Sequence, residues 1–194
     1  MSLFQNLQIQ AFKAGINPRT KESRDWFRRK AQSLSRINRR ELLNDKELSQ
    51  SGDEIIGSMQ MFFYDPKHKD TLPYYDKFPL TIIVGPADKG FYGLNLHYLP
   101  PVLRARFLDE LLDITNNTKY DDTTKFRASY ALLQRAQKFK YFKPCFKHYL
   151  TEHVKSRFAK VEPTEWEIAT FLPIAQFEKA SASKVYSESR KMIR

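Results

Sequence analysis

Between Gly57 and Pro101 the chain offers three short runs rich in β-branched and aromatic residues, each closed by a breaker. GSMQMFFY ends at Asp65-Pro66, FPLTIIV at Gly85-Pro86, and GFYGLNLHYL at Pro100-Pro101. Proline cannot donate to a sheet ladder, so Pro73, Pro79, Pro100 and Pro101 mark the edges of whatever sheet forms here. The spacing predicts strands over 57–64 and 78–84 and a third along 91–98, with Asp88-Lys89-Gly90 turning the second into the third. The expected fold class is α+β: a small antiparallel β meander or SH3-like barrel packed with several helices. This aromatic surface carries no nucleophile–base pair. We read it as scaffold and interface, with Tyr74, Tyr75, Phe91 and Tyr92 as candidate contact residues.

Helical spacing brackets that β segment. Phe4, Leu7 and Phe12 suggest a first helix, stopped by Gly15 and Asn17-Pro18. A second begins near Thr20 and carries Phe27, Ala31, Leu34 and Ile37 on one face. LNDKELSQSGDE then reads as a linker. The domain reading is a basic helical N-terminal arm over 1–50 and a single α+β domain over 51–194. Pro100-Pro101 can open a helix with Leu103, Phe107, Leu111 and Ile114 on one face and Asn116 at its end. Two more helices are expected over 122–139 and 143–156. Val161 and Ile168–Phe171 read as returning strand, and 173–194 as a helix with a frayed end.

Charge is segregated along the chain. The 194 residues carry a formal net charge of +11. Residues 1–50 hold eleven bases against five acids, 51–124 seven against eleven, 125–160 ten against one, and 161–194 five against five. A plain soluble helix usually mixes signs. The 125–160 segment instead interleaves Lys138, Lys140, Lys143, Lys147, Lys155, Arg157 and Lys160 with Tyr141, Phe142, Phe146 and Tyr149. If its apolar residues pack inward, the lysines form a face that can neutralise phosphates and release their counterions without reading bases. Arg28, Arg36, Arg39 and Arg40 of the arm add to it. The expected partner is duplex DNA, or an acidic patch on a partner protein.

Catalytic constellations are weak. There is no GxxxxGK[ST], GxGxxG or HExxH. His148 and His153 are poorly spaced for sharing a metal on a helix, and His97 sits among aromatics; each reads as a satisfied core or surface histidine. Asp65, Asp70 and Asp76 read as a solvated loop. That set, or Glu162, Glu165 and Glu167, are the carboxylates a Mg²⁺ nuclease could use, and Glu165 and Glu167 share a face if their segment is strand. The single cysteine, Cys145, excludes an internal disulfide and a multi-cysteine zinc site; it reads as a small buried residue. The expectation is no enzyme, no metal and no cofactor. No apolar run reaches the ~20 residues of a membrane span, and the N-terminus lacks the pattern of a secretory signal.

The strings MFFYDPKHKDTLPYYDKFPL, GFYGLNLHYLPPVLRARFLDEL, YFKPCFKHYL and SRFAKVEPTEWEIATFLP together resemble a family of small virion proteins from T4-like contractile-tailed phages, whose members are DNA end protectors or structural proteins. The similarity runs through most of residues 1–190. It implies a non-enzymatic component of the particle, present in the host cytoplasm during assembly, that binds the termini of a linear genome and shields them from exonuclease. It transfers no binding residue. The alternative is a structural adaptor of the head, neck, tail or baseplate, acting through protein contacts in a larger assembly, with an acidic virion protein as its partner.

Overall fold

The breakers sit close to where the strands end. In the computed structural model, which describes residues 2–34, 36–45, 55–115, 131 and 143–193 (the backbone alone over 110–115), helices and antiparallel strands share one chain. The first elements are α1 (Leu3–Lys13), α2 (Lys21–Ser33) and α3 (Arg39–Asn44). Next come β1 (Met59–Met61), β2 (Tyr75–Asp76), β3 (Leu80–Ala87), β4 (Gly90–Asn95) and α4 (Pro101–Thr115). The chain closes with β5 (Phe146–Leu150), β6 (Ala159–Val161), α5 (Trp166–Phe171), β7 (Phe177–Glu178) and α6 (Ala182–Ile193). The fold is α+β, as the sequence predicts.

Five strands form one antiparallel sheet in the order β5-β4-β3-β1-β6, and β2 pairs with β7 separately. The expected meander is β1-β3-β4, with Met59 opposite Ile82 and Ile82 opposite Leu94. A register shift at Ile83/Gly85 bends β3. The β3–β4 hairpin turns through Asp88-Lys89, with Lys89 at φ 55° and Ala87 opposite Gly90. Gly90 is required by packing, since a Cβ there would lie 1.8 Å from the Tyr149 carbonyl oxygen on β5. The sheet curls as well. Tyr64 bridges to Val154, and the Lys155 N–H donates to the Phe63 carbonyl at 2.8 Å, so the segment joining the two edge strands crosses the end of β1.

Alternation along β3 sends Ile82 and Ile83 into different cores. Ile82 joins Met59, Met61, Leu80, Leu94 and Val161 under the helices, with Phe4, Leu7, Phe27, Leu42, Leu43, Trp166 and Ile168. Ile83 joins a smaller cluster of Phe62, Tyr64, Phe91 and Tyr149. Phe62 is its hub, with ring centroids of Phe91, Tyr149 and Phe158 at 5.9, 5.3 and 5.0 Å. Edge-on aromatic pairs of this kind add roughly 0.5–1.5 kcal/mol each beyond area burial.

The helix starts follow their caps. Ser2 accepts from the Gln5 N–H at the head of α1. Thr20 and Ser23 satisfy each other's backbone N–H at 3.0 Å at the head of α2, a reciprocal capping box. Gly15, at φ 71°, ends α1 as expected. Ala11 turns inward in place of Phe12, which is 85% exposed. The second helix stops at Ser33, short of Ile37, and α3 takes up the beginning of the expected linker.

Two other expectations are corrected. Residues 143–156 are not a helix: Phe146–Leu150 is a strand on β4, with Tyr92 opposite His148 and Phe91 opposite Tyr149. Aromatic density and an available edge of β4 outweigh a helical spacing that rested on a few residues. Residues 166–171 are helix where strand was expected. Pro163 opens a 3₁₀ turn over 163–165 that leads into α5, where its missing N–H costs nothing. Trp166 Nε1 donates to the Val161 carbonyl at 2.9 Å, locking α5 against β6. The last helix begins at Ala182, because β7 occupies the start of the expected span. The helix expected over 122–139 lies outside the described residues.

Candidate nucleic-acid interface

Four cations from separate parts of the chain line one cleft. Arg40 comes from the first turn of α3, Lys77 from just beyond β2, and Lys155 and Arg157 from the segment leading into β6. The cleft has a volume of about 660 Å³ and a mixed wall, with Phe63 and Tyr64 beside the cations and Asp65 as the one acid among its described lining residues. Asp65 is engaged by Lys69, whose ammonium lies 3.1 Å from both carboxylate oxygens.

The four cations are held differently. Arg157 Nη2 donates to the carbonyls of Leu43 and Asp45, so this side chain fastens α3 to the sheet; its Nε is buried and has no hydrogen-bond partner among the described residues. Lys77 pairs with Glu178 at 3.2 Å. Lys155 donates to the Glu152 carbonyl at 3.1 Å and, like Arg40, is exposed. Such a cleft offers the exposed ammonium of Lys155 and guanidinium of Arg40 beside anchored Lys77 and Arg157, a geometry that suits a phosphate backbone.

The other described residues nominated from sequence do not line this cleft. Arg39 points inward and donates to the carbonyls of Ile174 and Ala175 at 2.7 and 3.1 Å, and burial lowers its pKa. Arg28 is exposed on α2 and pairs with Asp25 at 2.9 Å. Arg36 and Lys143 are exposed. Lys160 pairs with Glu162 at 3.1 Å. Lys147 is half-buried, its ammonium 4.0 Å from the Tyr98 ring centre. Lys138 and Lys140 lie outside the described residues. Among the contact candidates, Tyr74 and Phe91 are buried, while Tyr75 and Tyr92 keep partial exposure. The cleft thus brings Arg40, Lys155 and Arg157 together and adds Lys77. Net charge by segment hid Lys77, because it belongs to the acidic stretch 51–124.

A scan against family models matches residues 4–193 to the phage T4 terminal DNA protecting protein. The chain belongs to that family. Neither the curated proteins nor the solved structures give a significant match. The resemblance carried by the aromatic strings is therefore a family membership over nearly the whole chain.

In this member of the terminal DNA protecting protein family, the polar groups that look catalytic are engaged in structure. Asp76, expected on a solvated loop, is buried. Its carboxylate meets His97 Nδ1 at 2.7 Å and accepts from Asn95 Nδ2, the Phe78 N–H and the Gln176 N–H at 3.0–3.1 Å. Burial pushes that carboxyl up, but the facing His97 and these hydrogen bonds outweigh it and hold it below the usual carboxylate range. Burial holds His97 low against the upward pull of Asp76, aided by the Arg104 and Arg39 guanidiniums, so the imidazole is neutral at pH 7 and donates Nδ1–H to Asp76. Arg104, itself buried on α4, donates to the carbonyls of Leu99, Thr170 and His97 and to the Tyr186 hydroxyl.

The remaining candidates are also engaged. Cys145 is buried and its thiol is pushed up to about 12 by that burial. Glu167 ties α5 to the head of α2, accepting from the Arg19 N–H at 3.1 Å and the Ser23 hydroxyl at 2.5 Å; in helix α5 it no longer shares a strand face with Glu165. His148 and His153 contact the backbone carbonyls of Asp88 and Asp65 at 2.9 and 2.7 Å. No group of three His, Cys, Asp or Glu among the described residues is placed to hold a metal ion. No helix among them is long and apolar enough to cross a membrane.

Proposed function

We propose that this protein is a non-enzymatic virion component that binds duplex DNA at genome ends, without sequence specificity, through the cleft of Arg40, Lys77, Lys155 and Arg157. Family membership over residues 4–193 supports the DNA-end part of the reading. The clustering of cations from three separate parts of the chain, with one acid among the described lining residues, is the observation that carries the choice of cleft. A net charge of +11 favours encounter with a polyanion. Backbone contacts of this type position a protein on DNA and carry no base information.

If four phosphates are neutralised, the log–log slope of affinity against salt is roughly −3.6. The test is a mobility shift of linear and circular duplex DNA at low and moderate salt. Salt-sensitive binding that prefers linear DNA supports the proposal, and equal binding to both forms supports only a general DNA-binding face. No shift at micromolar protein in low salt would sink it, and would leave the virion adaptor that binds an acidic protein.

A further inference from the structure

A second and larger cleft, about 1030 Å³, runs along the outer edge of β5. Its lining is rich in rings: Tyr75 and Phe146, both partly exposed, and His148, exposed, with the buried Tyr98 beneath. Phe146 and His148 are part of a ring platform, with Tyr92 stacked on Phe146 at 5.1 Å and 22° and tilted against His148 at 5.3 Å. Lys67, Lys89 and Lys147 line the same cleft. Its acids are Asp76, already committed to the buried network, and Asp88 and Glu152, which are exposed.

The Lys147 ammonium rests over the Tyr98 ring, and no carboxylate lies within ion-pairing distance of it among the described residues. The loop forming the opposite wall is fixed in place. Lys179 Nζ donates to the carbonyls of Lys69, Asp70 and Leu72 at 2.5, 2.9 and 3.1 Å. The site is therefore built before any ligand arrives.

Faces for stacking and cations for phosphate, in one open groove, are the combination that binds single-stranded nucleic acid without sequence preference. An apolar ligand would leave the lysines unused, and a bare phosphate would leave the rings unused. Position adds a second argument. Tyr64 lines this cleft and also the basic cleft, so the two are neighbours across one side chain. We propose that the aromatic cleft receives the unpaired terminal nucleotides of a DNA end whose duplex part lies in the basic cleft. The inference rests on the DNA-end reading above.

The test uses the full chain and three fluorescent probes: a blunt hairpin duplex, the same hairpin with a four-nucleotide overhang, and an eight-nucleotide oligo-dT. Anisotropy titrations give the affinities. The overhang is expected to tighten binding about tenfold over the blunt end. H148A combined with K89A, both at exposed positions, should bring that ratio close to one, with thermal melting confirming the fold. An overhang that adds less than twofold to the parent, or a gain that survives the double substitution, overturns the inference while blunt-end binding still supports the duplex reading. Oligo-dT binding that depends on His148 and Lys89, with no blunt-duplex binding, removes the duplex reading and keeps the aromatic cleft's ligand. Absence of binding to all three probes removes both.

Discussion

His97 Nδ1 and the nearer Asp76 oxygen lie 2.7 Å apart with both side chains sealed from water, at 0% and 1% exposure. Folding therefore keeps a neutral imidazole where the unfolded chain would protonate it below about pH 6.5. The unfolded state binds more protons there, so stability rises with pH and is lost on acidification. The slope from this one group is at most about 1.4 kcal/mol per pH unit. Asp76 acts in the same direction at lower pH: its folded pKa is depressed, so its contribution is present above the unfolded value near 3.9 and is lost as pH falls through the folded one. Urea midpoints should fall between pH 7 and 5 in the parent and change less in H97Q. A flat parent profile over that range would contradict a buried neutral His97.

Arg157 and Lys155 are near neighbours in the basic cleft with different duties. Arg157→Ala removes donors to the Leu43 and Asp45 carbonyls and should cost about 2 kcal/mol of stability. Arg40→Ala and Lys155→Ala, at exposed positions, should stay within about 0.5 kcal/mol and weaken DNA binding with a shallower salt slope. Thermal unfolding and salt-dependent titration, run on all three variants, separate the two effects. Equal destabilisation by all three would show that the cleft is only scaffold.

Two glycines should respond differently to alanine. Gly90→Ala drives a methyl into the Tyr149 carbonyl and should destabilise by about 2–3 kcal/mol, since the obstacle is backbone. Gly15→Ala meets nothing within 4 Å, and its cost is the left-handed backbone alone, about 1–2 kcal/mol. Urea denaturation gives both values, and a Gly90→Ala as mild as Gly15→Ala would place β5 further from the hairpin than described.

Phe62→Ala empties the hub of the smaller core and should cost roughly 3–5 kcal/mol. Phe12→Ala, at 85% exposure, should change stability by less than about 0.5 kcal/mol. Equilibrium unfolding of the two variants side by side checks the inward turn of Ala11 that helical spacing alone did not reveal.

The parts of the fold that could be read from sequence are those where local chemistry and tertiary context agree. Asp65-Pro66, the Asp88-Lys89 turn, the Thr20 cap and Pro101 all act within a few residues of themselves, so strands and helices begin or end near them. Phe146–Leu150 and Trp166–Phe171 were misread because their conformation is decided elsewhere: by a free edge of β4 in one case, and by docking of Trp166 on Val161 in the other. The basic cleft was half legible. Its arginine and lysine members from 1–50 and 125–160 stood out by charge, while Lys77 and the inward turn of Arg39 depend on chain reversals that no spacing records. Buried Asp76 reads as a solvated loop because its partners, His97, Asn95 and Gln176, lie 19 to 100 residues away.

Tyr64 is the party wall between the two clefts, and it is not a loose one. Its hydroxyl accepts from the Leu150 N–H at 3.1 Å and its ring meets Tyr149 edge-on at 4.9 Å, so it cannot shift without disturbing the β5 edge. Thermodynamic linkage then makes any communication mutual: if an occupant on one side moves this residue, affinity on the other side changes by a factor that must be the same in both directions. A DNA end gripped on both sides of Tyr64 would hold each half more tightly than that half binds alone, because the second contact forms within one complex.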